Sequence, residues 1–553
     1  MPTAAFTTLG CKVNQYETQR ILDDFEARGF AITEFTAPAD VYVINTCSVT
    51  QAAERKSRQM IRKVARQNPE AIVVMTGCYG EMAKIKGETV EEATLIVPNP
   101  EKLQTLHHVL RAYPHLEHEI AANPPTERRP APRRTRATVK VQDGCNVFCA
   151  FCSIPYTRKV MVSRPMEEVV AEVERLAEQG YREIVITGVL VGAYGQEGSP
   201  SSPALTARSV YSETIRDRPC DPLPLAGSLG RRERNSHACA LAPPPQPGTS
   251  DRGRKGRPES FRNQTARAVG TGVGHPTPDL ADLLLRLAQV PGIERVRLSS
   301  IEPTQVTDKL LDAFAAEPKL CRHLHVPLQS GDSGVLKAMN RPYDQAFYLE
   351  RCRAAMARIP DLAITADIMV GFPGEDRAAF ENTLYVARTV GYARAHIFRY
   401  SPRPNTPAAD FAPQVPDAEK EARSRELAEV CRETQQQFIR RYLGRTLEVL
   451  VEGKEGPNRA DAEEGASGND GNPRVTIGET QGAGGLLSGY TSNYIRVQFT
   501  GGSHLVGKVV KVRLLEPTGD GALGEVGGAH FGPLEAPPDA EFLPLATFSA
   551  KAL

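Results

Sequence analysis

Apolar and polar positions over the first 115 residues follow a pattern that predicts a small α/β sheet domain. The runs "AAFTTLG", "DVYVINT" and "AIVVMTG" are short, rich in β-branched residues and bounded by turn-forming residues, which is typical of buried parallel strands. Between them, "QYETQRILDDFEARGF" and "QAAERKSRQMIRKVARQNP" have the spacing of helices. Residues 1–115 are therefore predicted to form a sheet with helices packed on it.

Strand and helix patterns recur between residues 138 and 435. Helical stretches separate most of the strand-like runs, and the clearest, "RPMEEVVAEVERLAEQGY", has a proline and glutamates suited to a first helical turn. Repeated βα units predict a parallel sheet with right-handed crossovers, either open or curled into a barrel, and six strands would make a partial (β/α)6 barrel. The six runs are "ATVKVQ", "REIVITG", "RVRLSS", "HLHVPLQ", "AITADIMVG" and "ARAHIFRY".

Two segments interrupt this order. Residues 198–276 lose all periodicity and are rich in Pro, Ser, Gly and Arg, which predicts a disordered insertion or an artefact of the gene model. Residues 116–137 form a Pro- and Arg-rich connector. This connector is either a solvated linker or a basic segment that faces a phosphate backbone. Its arginines are Arg128, Arg129, Arg133, Arg134 and Arg136.

The C-terminal part has the alternation of half-buried antiparallel strands. "RTLEVLVE", "GYTSNYIRVQF" and "LVGKVVKVRLLE" predict a small β-barrel over residues 443–515. A Gly-, Glu- and Asn-rich loop is inserted at 455–485, and residues 516–553 are predicted to be an unstructured tail.

Composition narrows the setting. The formal net charge of the 553-residue chain is +1, so a polyanionic partner would have to be held by a local basic patch. The N-terminus lacks the features of a signal peptide, and no apolar run approaches the ~20 residues that span a bilayer. We therefore expect a soluble, cytoplasmic protein. In that compartment the eleven cysteines are better explained by metal binding or chemistry than by disulfides.

Three cysteines lie close together in "DGCNVFCAFCSIPYTRK": Cys145, Cys149 and Cys152. A structural zinc site normally has four protein ligands, and a 4Fe–4S cluster usually has four cysteines. Three thiolates leave one iron of such a cluster open for a substrate or cosubstrate. The spacing CxxxCxxC with an aromatic residue, Phe151, before the last cysteine resembles the radical S-adenosylmethionine signature.

Three further cysteines, Cys11, Cys47 and Cys78, each follow a predicted strand of the N-terminal domain. Because the carboxyl ends of parallel strands meet at one edge, the three thiols could form a second cluster site. The alternative is that each is an ordinary buried cysteine. That is the expectation for Cys321, Cys352 and Cys431, while Cys220 and Cys239 in the insertion are assigned no role.

Two three-cysteine sites on one chain resemble the methylthiotransferases, a branch of the radical S-adenosylmethionine enzymes. "TLGCKVNQYETQ" is similar to the branch that acts on N6-threonylcarbamoyladenosine in tRNA. "HLHVPLQSGDSGVLKAMNRPY", "DIMVGFPGE" and "FRYSPRPNTPA" match long motifs of the family, and "GYTSNYIRVQF" matches its RNA-binding TRAM domain. The stretch after Cys152 departs from the Arg/Gly-rich wording usual in the family.

The resemblance implies a mechanism and its cofactors. Cys145, Cys149 and Cys152 would hold the 4Fe–4S cluster at which S-adenosylmethionine is cleaved to a 5′-deoxyadenosyl radical. Cys11, Cys47 and Cys78 would hold an auxiliary 4Fe–4S cluster that carries the sulfur. The substrate would be the adenosine 3′ of the anticodon in tRNA, methylthiolated at C2. An electron donor such as flavodoxin or ferredoxin is implied, and the protein is expected to be a monomer.

Weaker expectations concern contacts to cofactor and RNA. Six residues at strand ends would line the mouth of the barrel, although each could equally be part of a tight turn: Gly188, Ser300, Glu302, Gln329, Ser330 and Gly371. In the C-terminal barrel, Tyr490, Tyr494 and Arg496 would contact the RNA by stacking and through phosphate.

Several alternatives stay open from the sequence. The same chemistry could act on another tRNA adenosine or on a ribosomal protein. The chain could instead be a non-catalytic RNA-binding protein with structural zinc. If residues 198–276 are translated and disturb the barrel, the enzyme would be defective.

Overall fold

The computed structural model describes residues 1–48, 51–122, 135–196, 277–403, 406–454 and 485–527. The predicted insertion at 198–276, almost all of the predicted loop at 455–485, and four of the five linker arginines lie outside these ranges. Within the described ranges, no helix has both the length and the apolar character needed to cross a bilayer.

The N-terminal domain is a five-stranded parallel sheet in the order β2-β1-β3-β4-β5. Two apolar clusters cover its two faces, so β3 and β4 are buried along their whole length, and each begins with four consecutive apolar residues. The three predicted strands are confirmed. The strands are β1 (Thr3–Thr8), β2 (Ala31–Thr33), β3 (Val41–Thr46), β4 (Ile72–Gly77) and β5 (Leu95–Ile96). The helices are α1 (Lys12–Arg28), α2 (Gln51–Gln67), α3 (Cys78–Lys86), α4 (Thr105–Ala112) and α5 (His115–Ala122), with a 3-10 turn at Asn99–Gln104.

The central domain contains all six predicted strands as parallel neighbours, in the order β6-β8-β9 and β10-β11-β12. Parallel bridges from Val296 to Leu320 and from Ser300 to His325 connect the two sheets into a partial barrel. A short strand, β7, pairs antiparallel with β6 at the free edge. The strands are β6 (Arg136–Asp143), β7 (Val162–Ser163), β8 (Glu183–Gly188), β9 (Arg295–Leu298), β10 (His323–His325), β11 (Ala363–Val370) and β12 (Arg394–Arg399).

Helices cover the outside of this partial barrel, and five of those described begin at an Asp or Thr whose side chain accepts a hydrogen bond from the first turn. The helices are α6 (Ile154–Thr157), α7 (Met166–Glu178), α8 (Leu280–Ala288), α9 (Asp308–Ala316), α10 (Ser333–Ala338), α11 (Gln345–Arg358), α12 (Arg377–Val390) and α13 (Asp417–Arg440). Short 3-10 turns lie at Val191–Ala193, Pro303–Gln305 and Pro407–Asp410.

The two ends that flank the predicted insertion lie in contact. A Cβ on Gly195 would be 2.1 Å from the carbonyl oxygen of Pro278. Each end is also held separately, because Ser163 Oγ accepts a hydrogen bond from the Gly195 amide and Asp279 caps α8. The fold therefore continues across this point without a gap in space.

The C-terminal domain is a closed five-stranded barrel in the order β13-β14-β15-β17-β16. The string "GYTSNYIRVQF" is part of a hairpin, β14 and β15, rather than one strand. The barrel also extends past the predicted limit of residue 515, because β17 lies in the predicted tail and closes the sheet by pairing parallel with β15. The strands are β13 (Thr446–Lys454), β14 (Gly485–Thr491), β15 (Arg496–Gly501), β16 (Val509–Pro517) and β17 (Gly521–Val526), with a 3-10 turn at Ser503–Leu505.

Buried arginines dock this barrel on the partial barrel. Arg297 binds Glu183 at 2.7 Å and donates to the carbonyl oxygens of Thr491 and Ser492 at 3.1 and 3.0 Å. Arg136 Nε lies 2.7 Å from Glu452 of β13. Arg136 is the one linker arginine that the structure describes, and it is mostly buried in this ion pair. For Arg136, both predictions are wrong: the residue is not part of a solvated linker, and its guanidinium pairs with Glu452 instead of facing a phosphate backbone.

Candidate active site

The N-terminal sheet brings the predicted auxiliary cysteines to one edge. Cys47 follows β3, Cys78 begins α3 directly after β4, and Cys11 lies in the loop after β1. Gly10 has φ +98°, and a Cβ at that position would be 2.7 Å from the Cys47 sulfur. Glycine is therefore required for the Cys11 loop to approach Cys47. Cys47 and Cys78 are buried and Cys11 is exposed.

Asn14 organises this edge, a role that the sequence analysis missed. Its side-chain amide donates to the carbonyl oxygens of Leu9 and Thr46, each at 2.9 Å, and these residues precede Cys11 and Cys47. Its own carbonyl oxygen accepts from Asn45 at 3.0 Å. Asn14 is 1% exposed, so these hydrogen bonds form without competition from water. It lies in the motif "GCKVNQYE", but nothing in its spacing indicated a structural role.

The second cysteine loop follows β6. Gly144 has φ +80°, and a Cβ there would be 2.0 Å from the carbonyl oxygen of Val160, so the backbone turns sharply just before Cys145. Cys152 donates its amide to the carbonyl oxygen of Cys149 at 3.0 Å, which makes the last part of the loop a tight turn. Asn340 donates to the carbonyl oxygens of Val147 and Phe148, both at 3.0 Å. The three thiols thus lie on a loop held by a distant segment of the barrel.

Arg341 is the second residue that the sequence analysis missed. It lies in "LKAMNRPY", a string quoted for the resemblance but assigned no role. Its guanidinium donates to the Cys149 sulfur at 3.0 Å and pairs with Glu302. Burial of all three cysteines raises their thiol pKa values, and at Cys149 the guanidinium of Arg341 opposes that rise. A nearby cation favours the thiolate, which is the form that binds metal.

The two three-cysteine sites lie next to each other. Ser153, which follows Cys152, donates its hydroxyl to the carbonyl oxygen of Ser48, which follows Cys47, at 3.5 Å. Arg403 is close enough to both Cys152 and Cys47 to interact with their charges: burial lowers its pKa and the two thiolates oppose that shift. The structure therefore brings together all six predicted cysteines in one region between the N-terminal domain and the partial barrel.

The predicted cofactor residues lie at strand ends or in the loops that follow them, and several are engaged within the protein. Glu302 pairs with Arg341. Ser330 is fully buried and accepts from the Asp332 amide, and the side chain of Lys420 packs against Gly371. The other three occupy more open positions: Gly188, Ser300 and Gln329.

The RNA contacts stay a prediction, and all three residues named for them have partners within the protein. Tyr494 stacks on His323 at 4.4 Å and on Tyr490 at 4.9 Å. Arg297 and Arg136 lie over the rings of Tyr494 and Tyr490. Through their contacts with His323, Arg297 and Arg136, both rings take part in docking the two barrels. Arg496 pairs with Asp520 at 2.7 Å. The remaining cysteines, Cys321, Cys352 and Cys431, are buried as predicted.

The donor set suits iron–sulfur clusters. All six cysteines are free thiols. In the described ranges, no three His, Cys, Asp or Glu side chains are close enough to share a single metal ion. A 4Fe–4S cluster distributes its cysteines over separate irons. Cys145, Cys149 and Cys152 would be the donors to one such cluster, and Cys11, Cys47 and Cys78 would be the donors to another.

Comparison with known proteins identifies the family of this chain. Residues 3–97 match the uncharacterized protein family UPF0004, and residues 139–198 and 259–385 match the radical SAM superfamily. The threonylcarbamoyladenosine tRNA methylthiotransferase MtaB of Bacillus subtilis is 30% identical over 533 residues, covering 93% of this chain and 94% of that protein. The protein of the same name from Chlamydia pneumoniae is 33% identical over 455 residues, covering 81% and 87%. The tRNA-2-methylthio-N(6)-dimethylallyladenosine synthase of Carboxydothermus hydrogenoformans is 29% identical over 524 residues, covering 92% and 96%. The chain therefore belongs to the methylthiotransferase family of radical S-adenosylmethionine enzymes.

Proposed function

We propose that this enzyme methylthiolates C2 of N6-threonylcarbamoyladenosine next to the anticodon of tRNA. The observation that carries the proposal is the adjacency of two three-cysteine sites, tied by the Ser153–Ser48 hydrogen bond. One site suits the cleavage of S-adenosylmethionine and the other suits the supply of sulfur to the same substrate. Family membership argues against the non-catalytic zinc protein.

Cys145, Cys149 and Cys152 would hold the cluster that binds S-adenosylmethionine. When bound, the cluster and S-adenosylmethionine together would supply a 5′-deoxyadenosyl radical for hydrogen abstraction. Arg341 donates to the Cys149 sulfur, which favours the thiolate against the effect of burial, and it fixes Glu302 beside that sulfur. Asn340 fixes the backbone of the loop. The protein thus orients the cluster ligands before any cofactor binds.

Cys11, Cys47 and Cys78 would hold the auxiliary cluster. The loops of Cys11 and Cys47 are joined by the Asn14 amide, and this edge of the sheet faces the loop of Cys152. Because the two sites are held at a fixed distance, one base could receive the radical chemistry of the first site and the sulfur of the second. The reacting adenine would have to leave the anticodon stack to reach this region.

The substrate assignment rests on the motif "TLGCKVNQYETQ" and on relatives named for threonylcarbamoyladenosine. A relative named for dimethylallyladenosine has similar identity, which makes that base the chief competitor. A one-electron donor such as flavodoxin or ferredoxin and a monomeric, cytoplasmic enzyme complete the proposal.

Two measurements test it. Iron content after anaerobic reconstitution should be about eight per chain, falling to about four when Cys11, Cys47 and Cys78 are all replaced by Ala. Nucleoside mass spectrometry of tRNA from a strain lacking the modification should then show 2-methylthio-N6-threonylcarbamoyladenosine with the wild type only. A 2-methylthio product on dimethylallyladenosine instead would overturn the substrate assignment. Equal iron content in the wild type and in the triple cysteine variant would overturn the proposal of a second cluster.

A further inference from the structure

A buried charge network lies beside the auxiliary site, and none of its charged residues is a proposed cluster ligand. Its centre is Glu17 of α1, which is 1% exposed. Three cations bind this carboxylate: Lys102 at 2.6 Å, Lys140 at 2.8 Å and Arg158 at 3.0 and 2.9 Å. Lys102 belongs to the N-terminal domain, whereas Lys140 and Arg158 belong to the partial barrel. Glu17 therefore joins the two domains through buried ion pairs.

The network carries more positive than negative charge. Besides Glu17 it contains one further carboxylate, Asp143, which binds Lys140 at 2.9 Å and Arg158 at 2.8 Å. Burial alone would raise the pKa of Glu17, but the three cations hold it well below its ordinary value, so Glu17 stays ionised. Three cations against two carboxylates leave a net charge of one positive unit. An uncompensated interior charge is costly unless an opposite charge lies nearby.

The nearest candidates for that opposite charge are the auxiliary cysteines. Arg158 donates to the side-chain oxygen of Asn14 at 3.1 Å, and Asn14 holds the loops of Cys11 and Cys47. Asn99 Nδ2 lies 3.9 Å from the Cys78 sulfur and 3.0 Å from the carbonyl oxygen of Thr157, which precedes Arg158. One side chain therefore separates the network from each cysteine loop: Asn14 for Cys11 and Cys47, and Asn99 for Cys78.

We propose that this network, with Arg158 as its positioning residue, balances the charge of the auxiliary cluster and raises its reduction potential. The inference rests on the proposed second cluster. A 4Fe–4S core of charge 2+ held by three thiolates has a net charge of about −1, which the network's single positive charge matches. Reduction adds a second negative charge, which a nearby cation stabilises.

The test uses the full chain with Cys145, Cys149 and Cys152 all replaced by Ala, so that iron reports the auxiliary site alone. After anaerobic reconstitution, a redox titration followed by electron paramagnetic resonance gives its potential. Glu17→Gln removes a negative charge and should raise the potential. Arg158→Gln removes a positive charge and should lower it, while Arg158→Lys keeps the charge and should stay nearer the starting value.

Opposite shifts distinguish an electrostatic role from a structural one, because both substitutions disturb the same contacts. Glu172→Gln is the matched control: Glu172 is a buried carboxylate at the same domain boundary, bound to Tyr16 and Arg164, and its loss should leave the potential unchanged. If Arg158→Gln does not fold, Lys140→Gln takes its place, because it also removes a positive charge and should lower the reduction potential. Shifts in one direction, or none, would overturn the inference. Absence of iron from the starting chain would instead overturn the second cluster.

Discussion

The guanidinium of Arg341 donates a hydrogen bond to the sulfur of Cys149 across 3.0 Å, although the two residues are 192 positions apart in the chain. The same guanidinium holds Glu302. A cation in this position favours the thiolate of a cysteine that is otherwise buried. This contact therefore links the "LKAMNRPY" motif to the cluster loop.

Replacing Arg341 by Met should impair the cleavage of S-adenosylmethionine. A hydrogen bond to a charged group contributes about 1.5–3 kcal/mol, so we expect a loss of roughly tenfold to a hundredfold. The rate of 5′-deoxyadenosine formation, measured at equal iron content, checks this. Exposed Arg353→Met on α11 is the control and should behave as wild type. Unchanged cleavage in Arg341→Met would exclude the role given to this contact.

Replacing Asn14 by Leu should destabilise the auxiliary site. The carbonyl oxygens of Leu9 and Thr46 would lose their donor inside the protein, at a cost of about 3 kcal/mol in the free energy of unfolding. Urea unfolding measures the loss, and iron content should fall toward that of the triple Cys11, Cys47, Cys78 variant. Asn382→Ala removes an exposed hydrogen bond and should change neither quantity.

The docking of the C-terminal barrel should depend on buried rather than exposed arginines. Arg297→Met leaves Glu183 with fewer buried partners and should cost about 3–5 kcal/mol. Arg496→Met breaks a partly exposed pair with Asp520 and should cost about 0–1 kcal/mol. Chemical unfolding of the two variants compares these costs, and equal losses would contradict the interpretation of the interface.

Acid should weaken the same interface. Burial alone would raise the pKa of Glu183, but Arg297 and Arg136 outweigh it and hold the pKa below the ordinary value. Its stabilising contribution is therefore complete above about pH 4.5, the usual range of an unfolded glutamate, and is lost as the pH falls through the lower folded-state pKa. Stability measured from pH 6 to pH 3 should fall less steeply in Glu183→Gln than in wild type. Exposed Glu516→Gln should retain the wild-type slope.

Local patterns predicted the strands and the positions of the cysteines well. The six central strands and the three N-terminal ones are apolar runs with clear ends, and residues at the ends of parallel strands meet at one edge by geometry alone. The convergence of Cys11, Cys47 and Cys78 therefore followed from their places after β1, β3 and β4.

Contacts between domains were not predictable in this way. Glu17 and Arg158 are 141 residues apart, and neither has a local pattern that indicates its partner. The two tyrosines of the hairpin have the composition of an RNA-binding surface, yet His323 and two arginines of other segments cover their rings. Strand β17 was missed because its sequence, "GALGEV", is short and rich in glycine.

The contact between Gly195 and Pro278 has a practical meaning for the gene. The chain leaves the partial barrel and re-enters it at the same point, because Gly195 and Pro278 are in contact. A connection between residues 196 and 277 can therefore be short. A gene that joins residue 196 to residue 277 through a few glycines should encode a shortened enzyme with unchanged cluster content. Such a truncation would also give a smaller protein for crystallisation.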